Sequence, residues 1–255
     1  MIKYIFIFVI LFTIYYILNK NIIITKENFS NYTAIIIEPR KHIALEFVLT
    51  NFLENLSNEW NIIIFHGNKN KSYIENIINN TLLKYKSRIT LENLKVDDLT
   101  LKEYNNLLTS KELYQYIPTE IFLIFQTDSL ICSDYKDLIH DFLKYDYVGA
   151  PWKFNMVGNG GLSLRRKSKM LEIINKCDYN NKPEDYYFTQ SCNDLINRNL
   201  PSINEAKKFS MEGVYNDISF GIHKPWSHLN KKDIIKKEKY CKGLLKLKEL
   251  NKNFK

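Results

Sequence analysis

IFLIFQTDS, residues 121–129, is an apolar run that stops at a lone carboxylate, Asp128. Such a run bounded by turn formers reads as a buried strand, and in open α/β sheets ligands gather beyond the carboxyl ends of the strands. Asp128 therefore stands where chemistry is expected. A local reading competes with it, because Asp and Ser also favour turns for the hydrogen bonds their side chains make to nearby backbone.

Upstream of that run, short aliphatic segments alternate with amphipathic ones. Ala34 to Ile37 and Asn61 to Phe65 read as strands ending at Glu38-Pro39-Arg40 and His66-Gly67, with Arg88 to Leu91 a third. Ile43 to Leu56, Lys71 to Tyr85 and Leu101 to Tyr116 carry apolar residues at helical spacing; Ala44, Phe47, Val48, Phe52 and Leu53 make one face of the first. Strands separated by helices of this length require right-handed crossovers. The expected fold is thus α/β, a single domain with a mainly parallel central sheet flanked by helices.

Downstream the rhythm changes. Asp137 to Leu143 reads as a short helix, Tyr147-Val148 as a brief strand, and residues 151–161 as a loop rich in Gly and Asn. Leu162 to Leu164 reads as a strand entering a helix, Ser168 to Lys176. Pro183 opens another helix through Ile196, and Ser219 to Ile222 is a last short strand. No repeat and no linker divides residues 31–230.

At 255 residues, 45% hydrophobic and 14% aromatic, the chain can build a full core and a concave site. Its formal charge of +8 is unevenly placed: residues 231–255 carry ten lysines against Asp233, Glu238 and Glu249, which leaves the remainder near neutral. Nucleic-acid binding needs basic residues spread over a folded face, so no nucleic-acid partner is expected. The basic segment reads either as a solvated helix with one face on the domain or as a tail lying on an anionic membrane surface; Gly243 interrupts it.

At the other end, Tyr4 to Leu18 is free of charge, preceded by Lys3 and followed by Asn19-Lys20. No small-x-small cleavage site follows. Residues 1–20 therefore read as an uncleaved signal-anchor, and the protein as single-pass. Lys3 on one side faces Lys20 and Lys26 on the other, which leaves the orientation open. Cys132, Cys177, Cys192 and Cys241 form no C-x-x-C pair; a thiolate metal site is unsupported, and three disulfide pairings stay open if the compartment is oxidising.

Absent motifs narrow the chemistry. The chain has no G-x-x-x-x-G-K-[ST] and no G-x-S-x-G, and Gly158-Asn159-Gly160-Gly161-Leu162-Ser163 lacks the third spaced glycine of a dinucleotide fingerprint. What remains is a set of carboxylates, a late histidine and a glycine-rich turn.

Five segments, taken in order, carry a family resemblance: FLIFQTDS around Asp128, DYVGAPW from Asp146 to Trp152, VGNGGLSLRRKSKM from Val157 to Met170, KPEDYYF from Lys182 to Phe188, and FGIHKPW from Phe220 to Trp226. Their order resembles the GT-A class of nucleotide-sugar glycosyltransferases. More closely, it resembles an uncharacterised glycosyltransferase-like family of giant DNA viruses, bacteria and fungi. The opening IIIEPRKHIALEFVLTNFLENL fits as well, so the resemblance covers about residues 33–227.

The resemblance implies a GT-A-like domain over residues 31–230, between the anchor at 1–20 and a basic helix or tail at 231–255. It also implies a nucleotide-sugar donor, expected to be UDP-linked, and a divalent cation, Mn²⁺ or Mg²⁺, that neutralises the departing diphosphate. GT-A enzymes use an Asp-x-Asp triplet for this. The matching triplet here is Gln126-Thr127-Asp128, so Asp128 keeps the metal role and Gln126 is left to hydrogen-bond the donor ribose or sugar. His223, directly before Lys224-Pro225-Trp226, resembles a late histidine ligand, with Lys224 placed to meet a phosphate. Asn159 and the N–H groups of Gly160 and Gly161 are the implied donor contacts, since glycine lets backbone approach a ligand closely. Arg165 and Arg166 are ambiguous, cations near a helix start being commonly solvated.

Glu184-Asp185 resembles the pair beside the acceptor in inverting families, where one carboxylate accepts the hydroxyl proton. Asp185 is the expected base and Glu184 the second choice. Glu38, Arg40 and His66 end the first two strands and are expected to face the donor. Trp152 and Trp226 offer faces for sugar rings. The acceptor would be a glycan, a protein or a lipid. Lys-Pro-Trp points to a retaining outcome and Glu-Asp to an inverting one.

The incomplete Asp-x-Asp triplet keeps a second reading open, a non-catalytic nucleotide-sugar or glycan-binding module. The basic tail keeps a third, a membrane-surface or nucleic-acid-binding protein whose binding would weaken steeply with salt.

Overall fold

Ile35 and Ile37 pack on one side of a central sheet and Ala34 and Ile36 on the other, and both sides are covered. That two-sided burial is why the first strands read as continuous aliphatic runs rather than alternating ones. The structure, a computed structural model, describes residues 31–153 and 156–252. The expected anchor at residues 1–20 lies outside the described residues. Among the described residues, no helix is long and apolar enough to cross a membrane.

Four strands, β1 (Tyr32–Glu38), β2 (Trp60–His66), β3 (Ile89–Asn93) and β4 (Ile121–Phe125), run parallel to one another. Their crossovers carry α1 (Leu45–Asn55), α2 (Lys71–Asn80) and the pair α3 (Leu101–Leu108) and α4 (Lys111–Gln115). Leu45, Val48, Leu49 and Phe52 of α1 and Ile74, Ile77 and Ile78 of α2 cover one face; Leu108, Leu113 and Tyr114 cover the other. Each fully buried aliphatic or aromatic side chain of this kind contributes about 1.5–3 kcal/mol relative to exposure.

The sheet is completed by β6 (Tyr147–Gly149) and β7 (Leu162–Arg166), in the order β3-β2-β1-β4-β7-β6. Here the expectation of a mainly parallel sheet needs refinement, because β7 pairs antiparallel with both β4 and β6 and the sheet is mixed. The reason is the connection. Parallel neighbours need a crossover, usually helical, whereas β6 and β7 are joined only by the glycine-rich loop. α5 (Lys167–Lys176) and α6 (Glu184–Gln190) follow; α6 stops six residues before the expected Ile196.

A second sheet was not foreseen. Three short strands, β5 (Ser129–Ile131), β8 (Ser210–Met211) and β9 (Gly221–His223), assemble in the order β5-β9-β8, with α7 (Ile203–Phe209) leading into β8. β5 and β9 run antiparallel with Ser129 opposite His223, and the N–H of Lys224 donates to the carbonyl of Asp128 at 3.0 Å. Two residues far apart in sequence, Asp128 and His223, are thereby fixed side by side.

The basic C-terminal segment forms α8 (Lys231–Glu238) and α9 (Leu244–Leu250), separated by Gly243 at φ 98°. Ile234, Leu244 and Leu247 are buried in the core beneath α1 and β5, while most of the lysines stay outside. Lys237 is the exception: it is buried, and its ammonium donates to the carbonyls of Asn216 and Asp217 and to Ser219 Oγ. All four cysteines are paired, Cys132 with Cys241 and Cys177 with Cys192. The first pair ties β5 to the C-terminal helices; the second closes the loop that carries α6.

Candidate active site

The strand order reverses direction of growth between β1 and β4, and a cleft of about 530 Å³ opens beyond their carboxyl ends. This is the topological switch point, the usual ligand site of open α/β sheets. Glu38, Arg40, Gln126, Asp128, Asn159, Gly160, Gly161, Glu184, Asp185, His223 and Lys224 all line it, as does Trp226. His66 does not. It ends β2, one strand away from the switch point, where it is buried with Nδ1 2.7 Å from the Gly67 carbonyl.

At one end of the cleft Asp128 and His223 meet, Oδ1 lying 3.2 Å from Nε2. Asp128 Oδ1 is buried, and it is the His223 ring that meets it. The opposite ring nitrogen of His223, Nδ1, is 3.0 Å from Glu212 Oε1, so a second carboxylate holds the imidazole from behind. Burial disfavours the charged imidazole, but Asp128 and Glu212 outweigh it and push His223 up to about 10. Burial likewise opposes ionisation of Asp128, and His223 with Lys224 still leaves it below the ordinary carboxylate range. The Lys224 ammonium is 4.0 Å from Asp128 Oδ2. Lys224 itself sits in the left-handed region at φ 42°, a conformation that costs a non-glycine residue energy and is concentrated at functional sites.

Gly161 explains why His223 fits. A Cβ there would lie 2.1 Å from His223 Nε2. A Cβ on Gly160 would lie equally close to Glu184 Oε1, at 2.1 Å. The two glycines are therefore needed for the close approach of side chains from elsewhere in the fold. Their N–H groups, expected to meet the donor, are engaged within the protein: Gly160 N–H donates to Asp185 Oδ2 at 3.3 Å and Gly161 N–H to Asn159 Oδ1 at 3.0 Å. A tight turn satisfied by its own side chains has no free donor to offer there.

The floor of the cleft is a buried ion pair. Arg165 is fully buried, donating to Glu184 Oε2 at 2.6 Å and Oε1 at 2.9 Å and to Ser163 Oγ at 2.9 Å, with its guanidinium 4.7 Å from the Tyr147 ring centroid. The ambiguity of Arg165 is thereby resolved: it lies on β7 facing the core, and Glu184 neutralises it. Glu184, the second choice for the base, is occupied as Arg165's partner. Asp185 is the freer carboxyl. Burial first, and then the charge of Glu184, push it up to about 6, against N–H donors from Tyr186 and Gly160 and the charge of Arg165.

At the far end, Arg40 grips Glu38 through its backbone N–H, Nε and Nη2, at 2.9–3.0 Å. Residues that the sequence did not single out also line the cleft: Tyr104 and Asn105 from α3, Asp98, and Asn251, whose amide donates to the Thr127 carbonyl at 3.0 Å. Glu212 was missed too, and no periodicity marks it. Among the described residues no group of three or more His, Cys, Asp and Glu side chains is arranged to hold a metal. A cation here would rest on one carboxylate, one imidazole and neutral oxygens.

The family described as Protein of unknown function (DUF5672) matches residues 88–223 of this chain. No curated protein matches the sequence. Among solved structures, the apo form of the glycosyltransferase GlyE from Streptococcus pneumoniae TIGR4 is similar with a TM-score of 0.54 at 12% identity, over 88% of this chain and 63% of that one. A second GlyE structure gives 0.52 at 12% identity, over 87% and 62%. The mannosyltransferase PcManGT from Pyrobaculum calidifontis, in complex with GDP-Man and Mn²⁺, gives 0.46 at 12% identity, over 62% and 50%. The chain spans less than two thirds of the length of GlyE. At such identities the likeness is one of fold, and the fold is glycosyltransferase-like.

Proposed function

The chain belongs to the family described as Protein of unknown function (DUF5672), and from its cleft we propose that it is a glycosyltransferase, moving a sugar from a nucleotide donor to an acceptor hydroxyl. The observation that carries this reading is the convergence of Asp128, His223 and Asp185, from three separate stretches of sequence, on one cleft at the switch point.

The residues at Asp128 fit a divalent cation. Asp128 Oδ1 is buried and meets the His223 ring at 3.2 Å, so cation binding there would release the ring's Nε2 proton, as ligation by a protonated imidazole requires. His223, once deprotonated at Nε2, would supply an imidazole beside it, with Glu212 as the outer carboxylate that orients the ring. Asp128 and His223 would hold Mn²⁺ or Mg²⁺, which when bound would stabilise the negative charge of a departing diphosphate. Lys224, next to Asp128 and half exposed, adds positive charge on the same side of the cleft. Asp185, pushed up to about 6, is poised to accept a proton from an acceptor hydroxyl near neutral pH. Glu38 and Arg40, Gln126 and Asn159 line the remaining cleft as donor contacts.

Residues 1–20 are proposed to anchor the protein in a membrane, with a UDP-linked sugar as the donor and a glycan, protein or lipid as the acceptor. The decisive experiment incubates the protein with a panel of nucleotide sugars and Mn²⁺ and measures release of nucleoside diphosphate. The reading expects release from one donor class, abolished in Asp128→Asn. Donor binding with no release in any combination would favour the non-catalytic binding module instead.

A further inference from the structure

We propose that the basic C-terminal segment, residues 231–252, is a strap that sets the position of Asp128 against His223, and that Asn251 is the positioning residue through which it acts. This rests on the reading of Asp128 and His223 as site residues given above.

The turn that carries Asp128 is held carbonyl by carbonyl. The Gln126 carbonyl accepts from the N–H of Ser129 within the turn, and the Asp128 carbonyl accepts from the N–H of Lys224, next to His223, each at 3.0 Å. The carbonyl between them, that of Thr127, is held by a side chain instead: Asn251 Nδ2 donates to it at 3.0 Å from 124 residues further along the chain. Because a peptide unit is planar, fixing that carbonyl fixes the plane that leads into Asp128, and with it the direction of the Asp128 side chain.

Asn251 is itself firmly set. It ends α9, and Nδ2 also donates to the Leu247 carbonyl of the last helical turn at 3.0 Å. Both amide hydrogens therefore meet carbonyl oxygens, and the flipped amide would turn an acceptor on two acceptors. The residue also lines the cleft.

The rest of the segment secures α9 against the same small sheet. Cys241, between α8 and α9, is bonded to Cys132, which directly follows β5, so the segment grips β5 just before it at Thr127 and just after it at Cys132. Lys237 of α8 donates to Ser219 Oγ, and Ser219 Oγ donates in turn to the Gly221 carbonyl at the start of β9. One piece of chain thus braces the strands beside Asp128 and His223. Alternating lysines and aliphatic residues account for helices with one face on the core. They do not call for an asparagine amide on the Thr127 carbonyl.

The test uses the full chain with Mn²⁺ and the panel of nucleotide sugars, taking the donor that supports release of nucleoside diphosphate. Asn251→Ala and the isosteric Asn251→Asp should each lower kcat about ten- to a hundredfold, the cost of a small misplacement of reacting groups, with KM for the donor within about twofold of the wild type. Without any ligand, amide exchange at Ser129 and Lys224, whose N–H groups close the turn, should quicken about fivefold, the weight of one hydrogen bond, and by more than the amides of β1 and β2. A raised KM with kcat unchanged would make Asn251 a ligand contact and overturn the positioning role, as would wild-type values of both kcat and exchange. If Asp128→Asn abolishes release while Asn251→Ala turns over normally, the strap falls and the reading of Asp128 stands. Should the wild type release nothing from any donor, exchange alone decides, and unchanged exchange at Ser129 and Lys224 overturns the strap.

Discussion

Two carboxylates, Glu184 buried and Asp128 partly buried, border the same cleft and are treated in opposite ways. Glu184, on its floor, has both oxygens taken by Arg165, whose guanidinium also meets Ser163 and lies against Tyr147. Asp128 meets the His223 ring at 3.2 Å, and its buried Oδ1 has no partner besides that ion pair. The first acid faces a permanent cation and the second faces a ring that titrates, and this difference separates scaffold from candidate site. Burial alone does not distinguish them. Partners do.

The contrast can be broken most severely at the floor. Arg165→Met leaves Glu184 buried without its partner, and loss of one member of such a pair costs about 3–5 kcal/mol. Urea unfolding should show that loss, and the double variant with Glu184→Leu should recover most of it, because two apolar residues restore neutrality. A cost below about 1 kcal/mol for Arg165→Met would mean that the floor is not scaffold in this sense.

The next effect comes from the loop that carries α6. Cys177 and Cys192 close a loop of 15 residues in sequence separation, for which chain-entropy reasoning gives about 3 kcal/mol. Replacing both by serine should lower unfolding stability by about that amount and reduce sugar transfer through Asp185, whereas Mn²⁺ binding at Asp128 and His223 should persist. Equal loss at both ends would show that the floor and the cation end are one cooperative unit.

Asp185 sharpens the comparison further, being neither fully paired nor orphaned. Its folded pKa of about 6 lies above the ordinary carboxylate value of 3.8, so the folded state binds the proton more tightly than the unfolded chain. The stabilisation from that proton is present below pH 4 and is lost as pH rises through 6, by up to about 3 kcal/mol. Asp185→Asn should therefore be more stable than the wild type at pH 7.5 and similar to it at pH 4, while transfer is lost. In the wild type the rate should climb with pH toward a plateau above about 6. A rate insensitive to pH between 5 and 7 would take the base role away from Asp185.

Much of the first half of the molecule was legible because each element there has a single cause. Aliphatic runs buried on two faces can only be central strands, and Val48, Phe52 and Ile74 repeat at helical spacing because α1 and α2 each cover one face. Boundaries slipped where a side chain found a better use: Arg88, read as the start of a strand, instead ends a 3₁₀ turn and donates to the carbonyls of Trp60, Leu53, Leu56 and Ser57. The second half resisted for a different reason. β5, β8 and β9 are two or three residues long, too short to show a period, and they exist because they pair with one another across long sequence separations. One signal was available and passed over: Ser202 and Glu205 form a capping box, the Ser-x-x-Glu pattern that opens α7.

The site shows the same division. Asp128, Asp185 and His223 were visible as residue types in suggestive places, and the fold brings them to one cleft. His66 has only its strand-end position to suggest it, and it lies outside the cleft. Glu212, Tyr104 and Asn251 carry no local pattern; they matter only through what they touch, the His223 ring, the Gln126 amide and the Thr127 carbonyl.

Asp128 and His223 are proposed to take up a cation and a diphosphate together. Thermal unfolding of the full chain with UDP or GDP, with and without Mn²⁺, tests it most directly, since ligands that bind the native state raise its apparent stability by mass action. The midpoint should rise only when nucleotide and Mn²⁺ are present together, and the rise should disappear in Asp128→Asn. A rise with nucleotide alone, unchanged in Asp128→Asn, would contradict it.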